Sequence, residues 1–238
     1  MNSWVRIAHR GASNIAPENT LAAFNKAIEI GVDAIELDVH GTADGEVVVI
    51  HDPSLDRTTN LRGPVNQTTL ETIKQADAGR WFNAQFTGEP VPTLTEAFEC
   101  IAGKAMTVLE IKDPLIAEAV VEKICGMNVL EQVVIISFHI SVLQTVRQLE
   151  PRIPTGWLIG SNNDNTHPIQ LCQQISSLGS SLLNVNHHLI TAEFAKEVYR
   201  RGITLWSWTV DDVDRMEEML TFGVRGITSN HPDRFSDV

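Results

Sequence analysis

The strongest constraint on this chain is a rhythm. Short apolar runs of strand length alternate with amphipathic runs of helix length along most of its 238 residues. After a run at Val5–Ala8 and a longer stretch from Ile35, strand-like runs recur at Thr107–Ile111, Val133–Ser137, Thr155–Leu158, Leu182–Asn186, Thr204–Trp208 and Gly226–Thr228. Helical runs fall between them. Pro17–Ile30 puts Leu21, Phe24 and Ile28 on one stripe and stops at Gly31. Pro114 opens a helix after Asp113, and Ser141 caps one carrying Leu143, Val146 and Leu149. His167–Ile175, Thr191–Arg201 and Asp212–Leu220 complete the set. Repeated βα units with short connections imply a parallel sheet with helices outside. Eight such strands in this length predict an α/β fold, a TIM (β/α)8 barrel. The open doubly wound alternative would carry a Gly-rich phosphate loop after the first strand, and HRGASNIAPEN is not one.

One segment breaks the rhythm. From 52 to 92 there is turn chemistry (RTTN, RGP, TGEP) and one short helix near Leu70–Ala76. So long an irregular stretch inside a compact domain is expected to be functional or a small subdomain. The expectation is a single domain over 1–238, with 52–92 as a small insertion at the barrel mouth, after the strand ending at His51.

Just before the insertion stands IELDVHGTADGEVVVIHDP, residues 35–53. Asp44-Gly45 signals a two-residue hairpin turn. That turn would oppose residues whose numbers sum to 89, and so pair Asp38 with His51 on one face. Glu36 shares that face with Asp38, while Ile35, Leu37 and Val39 point to the covering helices. Val47–His51 then becomes an extra strand beside the eight; a parallel crossover without a helix is the alternative.

Carboxylates on one inward face repel unless a cation or proton lies between them. VLEIKDP adds Glu110, with Lys112 on the same face. Three carboxylates without a nearby cysteine make a hard oxygen site, suited to Mg²⁺, Ca²⁺ or Mn²⁺. The competing reading is an internal network of Glu–Lys and Asp–His ion pairs. The metal is favoured, because buried ion pairs rarely improve stability. His9, Arg10 and Gly11 end the first strand at its C-terminal side, where barrel chemistry occurs. Arg10 could fork onto a phosphate, with Lys112 as a second cation, or Arg10 could simply neutralise an acid.

The net charge of −12 argues against nucleic-acid or anionic-membrane partners, which need a basic face. An anionic substrate would need local cations to hold it against the overall field. No apolar run approaches a membrane span, so no stable membrane association is expected. MNSWVRIAHRG enters a strand with no leader-like apolar segment. Cys100, Cys125 and Cys172 fit neither a disulfide framework nor a zinc pattern. Three packed, reduced cysteines in a cytoplasmic protein are the expectation.

Together, His9-Arg10-Gly11, Pro17-Glu18-Asn19-Thr20, Glu36-Leu37-Asp38, His51-Asp52-Pro53 with Arg57-Thr58-Thr59, Glu110-Ile111-Lys112 and Trp208-Thr209-Val210 resemble the ordered motifs of the glycerophosphodiester phosphodiesterases. The short bacterial cytoplasmic members are the most similar, and the resemblance spans nearly the whole chain. It implies one divalent cation held by Glu36, Asp38 and Glu110, with His9 and His51 as general acid and base. Arg10 and Lys112 would bind phosphate. The implied substrates are small-molecule glycerol-3-phosphate esters of alcohols such as choline or ethanolamine. The related phosphoinositide-cleaving barrels suggest a path through a cyclic phosphate. Trp208 is a candidate to pack on the glycerol carbons, with a core or rim tryptophan as an equal alternative. Phe138 and Asn186, at other strand ends, are further substrate-binding candidates. Glu18 and Asn19 are expected to order the first loop or cap its helix rather than act in catalysis.

The sequence departs from the family's usual pattern at Asp211, commonly Asn, and at Ser229-Asn230, commonly Thr-Asp. Both changes bear on substrate preference and leave the acids and histidines intact. Two other readings compete. A metal-dependent amidohydrolase barrel would carry His-x-His on the first strand, and HRG lacks it. An inactive phosphodiester-binding protein on the same fold is the other.

Overall fold

The computed structural model describes residues 4–161 and 166–238. Its strands are β1 (Val5–His9), β2 (Ala34–Gly41), β3 (Val47–Val49), β4 (Met106–Ile111), β5 (Val133–Ser137), β6 (Thr155–Ile159), β7 (Leu182–Asn186), β8 (Thr204–Trp208) and β9 (Gly226–Ser229). All except β3 pair in parallel, and β1 closes the sheet by pairing with both β2 and β9. The expected TIM barrel is therefore the fold. Its helices are α1 (Leu21–Ile30), α2 (Leu70–Ile73), α3 (Leu94–Ile101), α4 (Ala117–Gly126), α5 (Ile140–Leu149), α6 (Pro168–Ser177), α7 (Ala192–Tyr199) and α8 (Val213–Thr221).

Strand alternation separates two cores. Ile35, Leu37, Val39, Leu109 and Ile111 face outward and pack with helix residues such as Phe24 and Phe98. Ile7, Ala34, Val108, Val134, Ile136, Leu158, Leu182 and Trp206 point inward and fill the barrel. Two residues up from Ile7, Ala34, Val108, Leu182 and Trp206 stand His9, Glu36, Glu110, Asn184 and Trp208, and Thr228 stands two up from Gly226. The barrel floor and the chemistry at its mouth are successive layers of one pattern.

Several boundaries differ from the sequence reading. The first helix starts at Leu21, not Pro17, because the Thr20 side chain accepts from the Ala23 N–H as its N-cap. The cap of α5 is His139 rather than Ser141. Pro114 opens a short 3₁₀ turn before α4 begins at Ala117. Of the three free cysteines, only Cys172 is buried, and Cys125 is exposed.

The hairpin register is corrected by one residue. Val39 opposes Val49 and Gly41 opposes Val47, so the numbers sum to 88, not 89. The loop holds Ala43, Asp44 and Gly45 between the paired Thr42 and Glu46, and the Gly45 N–H donates to the Thr42 carbonyl. Gly45 takes the left-handed backbone, φ 83°, which marks a three-residue turn with a bulge rather than a two-residue one. Asp44 drives this choice, since its carboxylate accepts from the Thr42 hydroxyl and from the Leu70 N–H.

A one-residue slip flips every side chain of a strand. Val47 and Val49 thus join the outer core, while Val48 and Ile50 pack on Leu55, Val65, Ile73, Ala76, Ala78 and Val91 of the 52–92 segment. That segment returns beside its start, where the Val49 N–H donates to the Pro92 carbonyl. The strand ends at Val49, so His51 lies beyond the ladder. Ile50, not His51, stands across from Asp38 and donates to its carbonyl.

Candidate active site

A cavity of about 200 Å³ opens inside the barrel among His9, Arg10, Glu36, His51, Glu110, Lys112, Ile136, Phe138, Leu158, Asn184, Trp208, Thr209 and Thr228. Its walls divide by chemistry. The β1–β4 side carries the titratable groups; Ile136, Phe138, Leu158 and Trp208 make the other side largely apolar.

Glu36, Asp38 and Glu110 each offer an oxygen within 4.8 Å of the others, all buried. Parity places them: Glu36 and Asp38 alternate along β2, and Glu110 lies beside Asp38 in the parallel register. Lys112 Nζ sits 3.0 Å from Asp38 Oδ1 and 2.7 Å from Glu110 Oε1. Arg10 Nε sits 3.3 Å from Asp38 Oδ2. The Lys112 contacts are close but poorly aligned, and both carboxylate oxygens are buried without a hydrogen bond. Buried oxygens with unfilled acceptor capacity suit a hard divalent cation.

The acids divide unequally. Burial, then the charges of Asp38 and Glu110, raise Glu36 well above the carboxylate range. Burial and Asp38 push Glu110 up to about 7. Burial also works against Asp38, but Lys112 and Arg10 overcome it and hold its carboxyl below the usual range.

The first loop locks this cluster. Arg10 adopts a left-handed backbone, φ 57°, and its N–H donates to Glu36 Oε2. A Cβ on the following Gly11 would lie 2.7 Å from the Ala23 backbone, so only glycine lets the loop cross α1 here. Asn19, also left-handed at φ 58°, donates from Nδ2 to Asp38 Oδ2 and accepts from the Asp38 N–H. Glu18 accepts from Arg10 and, through both oxygens, from Arg57. Thr20 rather than Glu18 or Asn19 caps the helix; that pair holds Arg10 and Asp38 in place.

Both histidines have a partner behind them. His9 Nδ1 is 2.6 Å from Asn230 Oδ1, and its Nε2 is 3.9 Å from Glu36 Oε2. Burial, then Arg10, push His9 down to about 4. His51 Nδ1 is 2.7 Å from Asp52 Oδ1, and Arg57 grips the Asp52 carboxylate with two donors. Burial lowers His51 as well, and its carbonyl accepts from His40 Nε2.

On the apolar side Trp208 donates to the Asn184 carbonyl and meets Phe138 edge-on at 5.5 Å. Asn186 does not line the cavity; its side chain accepts from the His188 N–H as the cap of a 3₁₀ turn. Asn184, two residues earlier on the same inward face, lines it instead. Its Oδ1 and the Thr228 hydroxyl are buried without partners. Sequence reasoning did not single out these two, nor the support given by Asp52, Arg57 and Asn230. Strand parity was the signal for Asn184 and Thr228.

The sequence profile of the Glycerophosphoryl diester phosphodiesterase family matches residues 9–234. This chain belongs to that family. Over 95% of its length it is 41% identical to a glycerophosphodiester phosphodiesterase of Caldanaerobacter subterraneus subsp. tengcongensis, covering 94% of that protein. A glycerophosphodiester phosphodiesterase of Bacillus subtilis is 34% identical, with 98% of this chain and 85% of that one covered. Among solved structures, a phosphodiesterase of Oleispira antarctica in complex with the product sn-glycerol-3-phosphate superposes with a TM-score of 0.88 at 28% identity, covering 97% of this chain and 94% of that chain. Among the described residues, no helix is long and apolar enough to cross a membrane.

Proposed function

We propose that this chain hydrolyses glycerophosphodiesters to sn-glycerol 3-phosphate and an alcohol. The observation that carries the reading is one cavity in which two histidines, Arg10 and Lys112 meet Glu36 and Glu110, with the buried Asp38 clustered beside those two acids. Glu36, Asp38 and Glu110 would hold one divalent cation, Mg²⁺, Ca²⁺ or Mn²⁺, whose Lewis acidity polarises a phosphoryl oxygen and acidifies a nearby hydroxyl.

The protein's own groups then divide the proton work. The carboxylate of Asp52 stands behind His51, and a neutral amide stands behind His9. A carboxylate stabilises an imidazolium; an amide orients the ring without adding charge. We therefore assign His9 as the base that takes the proton of the glycerol 2-hydroxyl as its oxygen attacks phosphorus. The phosphorus–alcohol bond breaks, and His51 protonates the departing oxygen. Water opens the resulting cyclic phosphate with the two roles exchanged. Arg10 and Lys112 balance phosphoryl charge. Ile136, Leu158, Phe138 and Trp208 would take the glycerol carbons, and Asn184 and Thr228 its hydroxyls.

The test is release of glycerol 3-phosphate from glycerophosphocholine, with divalent cation and with chelator. Turnover that chelation abolishes is the expected result. Tight diester binding with no release would instead mean an inactive binding protein.

A further inference from the structure

The hydrogen bonds behind His9 do not end at Asn230. Asn230 Nδ2 donates to Asp211 Oδ2 at 2.8 Å. Asp211 Oδ1 accepts from the Asn230 N–H at 2.8 Å and from the Ser229 hydroxyl at 2.9 Å. Asp211 is thus ringed by donors, which hold it ionised below the usual carboxylate range against the effect of burial. An ionised carboxylate only accepts. The Asn230 amide must therefore turn its NH₂ toward Asp211, and its oxygen is left facing His9. The Ser13 hydroxyl, 3.3 Å from that same Oδ1, is placed as a second donor to it. An amide oxygen only accepts, so His9 Nδ1 must carry the hydrogen. The Nε2 lone pair then faces the Glu36 side of the cavity.

We propose that Asp211 and Asn230 are positioning residues that fix His9 as the Nδ1–H tautomer, leaving Nε2 free to accept the substrate proton. Neither residue lines the cavity, so both act through the imidazole. The step from tautomer to turnover rests on the proposed hydrolysis; the tautomer itself does not.

The polarity of the relay can be reversed by one atom. In Asp211→Asn, the Asn230 N–H and the Ser229 hydroxyl still require an oxygen at the Oδ1 position. The new NH₂ must then take the Oδ2 position and face Asn230. The Asn230 amide flips, presents its NH₂ to His9 Nδ1 and converts that nitrogen to an acceptor. The proton moves to Nε2, where it blocks the base. The double exchange Asp211→Asn/Asn230→Asp restores an acceptor against Nδ1, because the carboxylate introduced at position 230 would accept from both neighbours.

Two-bond ¹H–¹⁵N spectra of histidine-labelled protein read the tautomer directly, with His9 assigned by its loss in His9→Gln. The expected result is Nδ1–H in the wild type, Nε2–H in Asp211→Asn and Nδ1–H again in the double exchange. On glycerophosphocholine, Asp211→Asn should lower kcat about 10²-fold with KM little changed, and the exchange should recover most of the loss. Nε2–H in the wild type would overturn the assignment. So would a spectrum and kcat left unmoved by Asp211→Asn, or a kcat loss with the tautomer unchanged. A wild type that releases no glycerol 3-phosphate would sink the hydrolase reading while leaving the spectral test in force.

Discussion

Replacing Glu110 by glutamine should make the cation-free protein more stable and remove most of the stabilisation that a divalent cation confers. Glu110 is 7% exposed, and burial beside Asp38 raises its carboxyl from 4.5 to about 7. That displacement corresponds to about 3 kcal/mol disfavouring the ionised form in the fold. The sign follows from linkage. Between 4.5 and about 7 the unfolded chain has released this proton and the folded chain retains it, so wild-type stability falls as pH rises through that window. Above it the full penalty is present. Glutamine keeps the shape and an oxygen for Lys112 but carries no charge, so Glu110→Gln in chelator at about pH 8.5 should be more stable by up to about 3 kcal/mol. The gain should vanish near pH 4.5. With cation at about a hundred times its dissociation constant, binding adds about 2.7 kcal/mol to the wild type, and the variant should lose most of that. Urea unfolding at three pH values, with and without cation, measures all of this. A variant less stable than wild type in chelator at that alkaline pH would refute the reasoning, because it would show that the ionised cluster is satisfied by Lys112 and Arg10 alone.

Three further outcomes are expected. His9→Ala and His51→Ala should each lower turnover by about 10²–10⁴-fold while keeping the melting temperature and cation affinity; near-normal turnover in both would place the acid–base work elsewhere. Asn184→Leu should raise KM for glycerophosphocholine about 10-fold without lowering the melting temperature, since it removes a buried unpartnered oxygen; an unchanged KM would remove Asn184 from the substrate contacts. Arg57→Met should lower kcat by one common factor on glycerophosphocholine, glycerophosphoethanolamine and glycerophosphoglycerol, because Arg57 touches Asp52 and Glu18 rather than the cavity; a changed ranking of the three diesters would contradict that.

The barrel was legible because eight short apolar runs alternate with amphipathic helical ones, and alternation within β2 and β4 puts Glu36, Asp38 and Glu110 on the inner face. Where the reading slipped, a local interaction decided the outcome. Asp44-Gly45 is a strong two-residue turn signal, yet Asp44 also bonds Thr42 and the Leu70 N–H, and Leu70 lies in a segment whose path no local pattern reveals. The pairing that would oppose His51 to Asp38 does not exist; His51 reaches the cavity from beyond the end of β3 at Val49. Asn186 stands at the end of β7, whereas the cavity takes Asn184, one layer deeper. Asp211 and Asn230 looked like independent departures from the family's motifs. They are hydrogen-bonded to each other, a relation that sequence separation hides.

The 52–92 segment takes on a different role once these contacts are joined. Only His51, the residue just before it, lines the cavity from this part of the described chain. What the segment supplies is restraint. Its apolar residues seat Val48 and Ile50, which fixes the place where the chain leaves β3. Asp52 then holds His51 Nδ1, Arg57 holds Asp52, and Glu18 ties Arg57 to Arg10. Arg10 in turn reaches Asp38 and Glu36. One chain of charges thus runs from the second histidine to the carboxylate cluster beside the first. A histidine on an irregular segment has no strand to define its direction, so its orientation must come from such partners. His9 ends a barrel strand, which sets its direction, and an amide rather than a carboxylate stands behind its Nδ1.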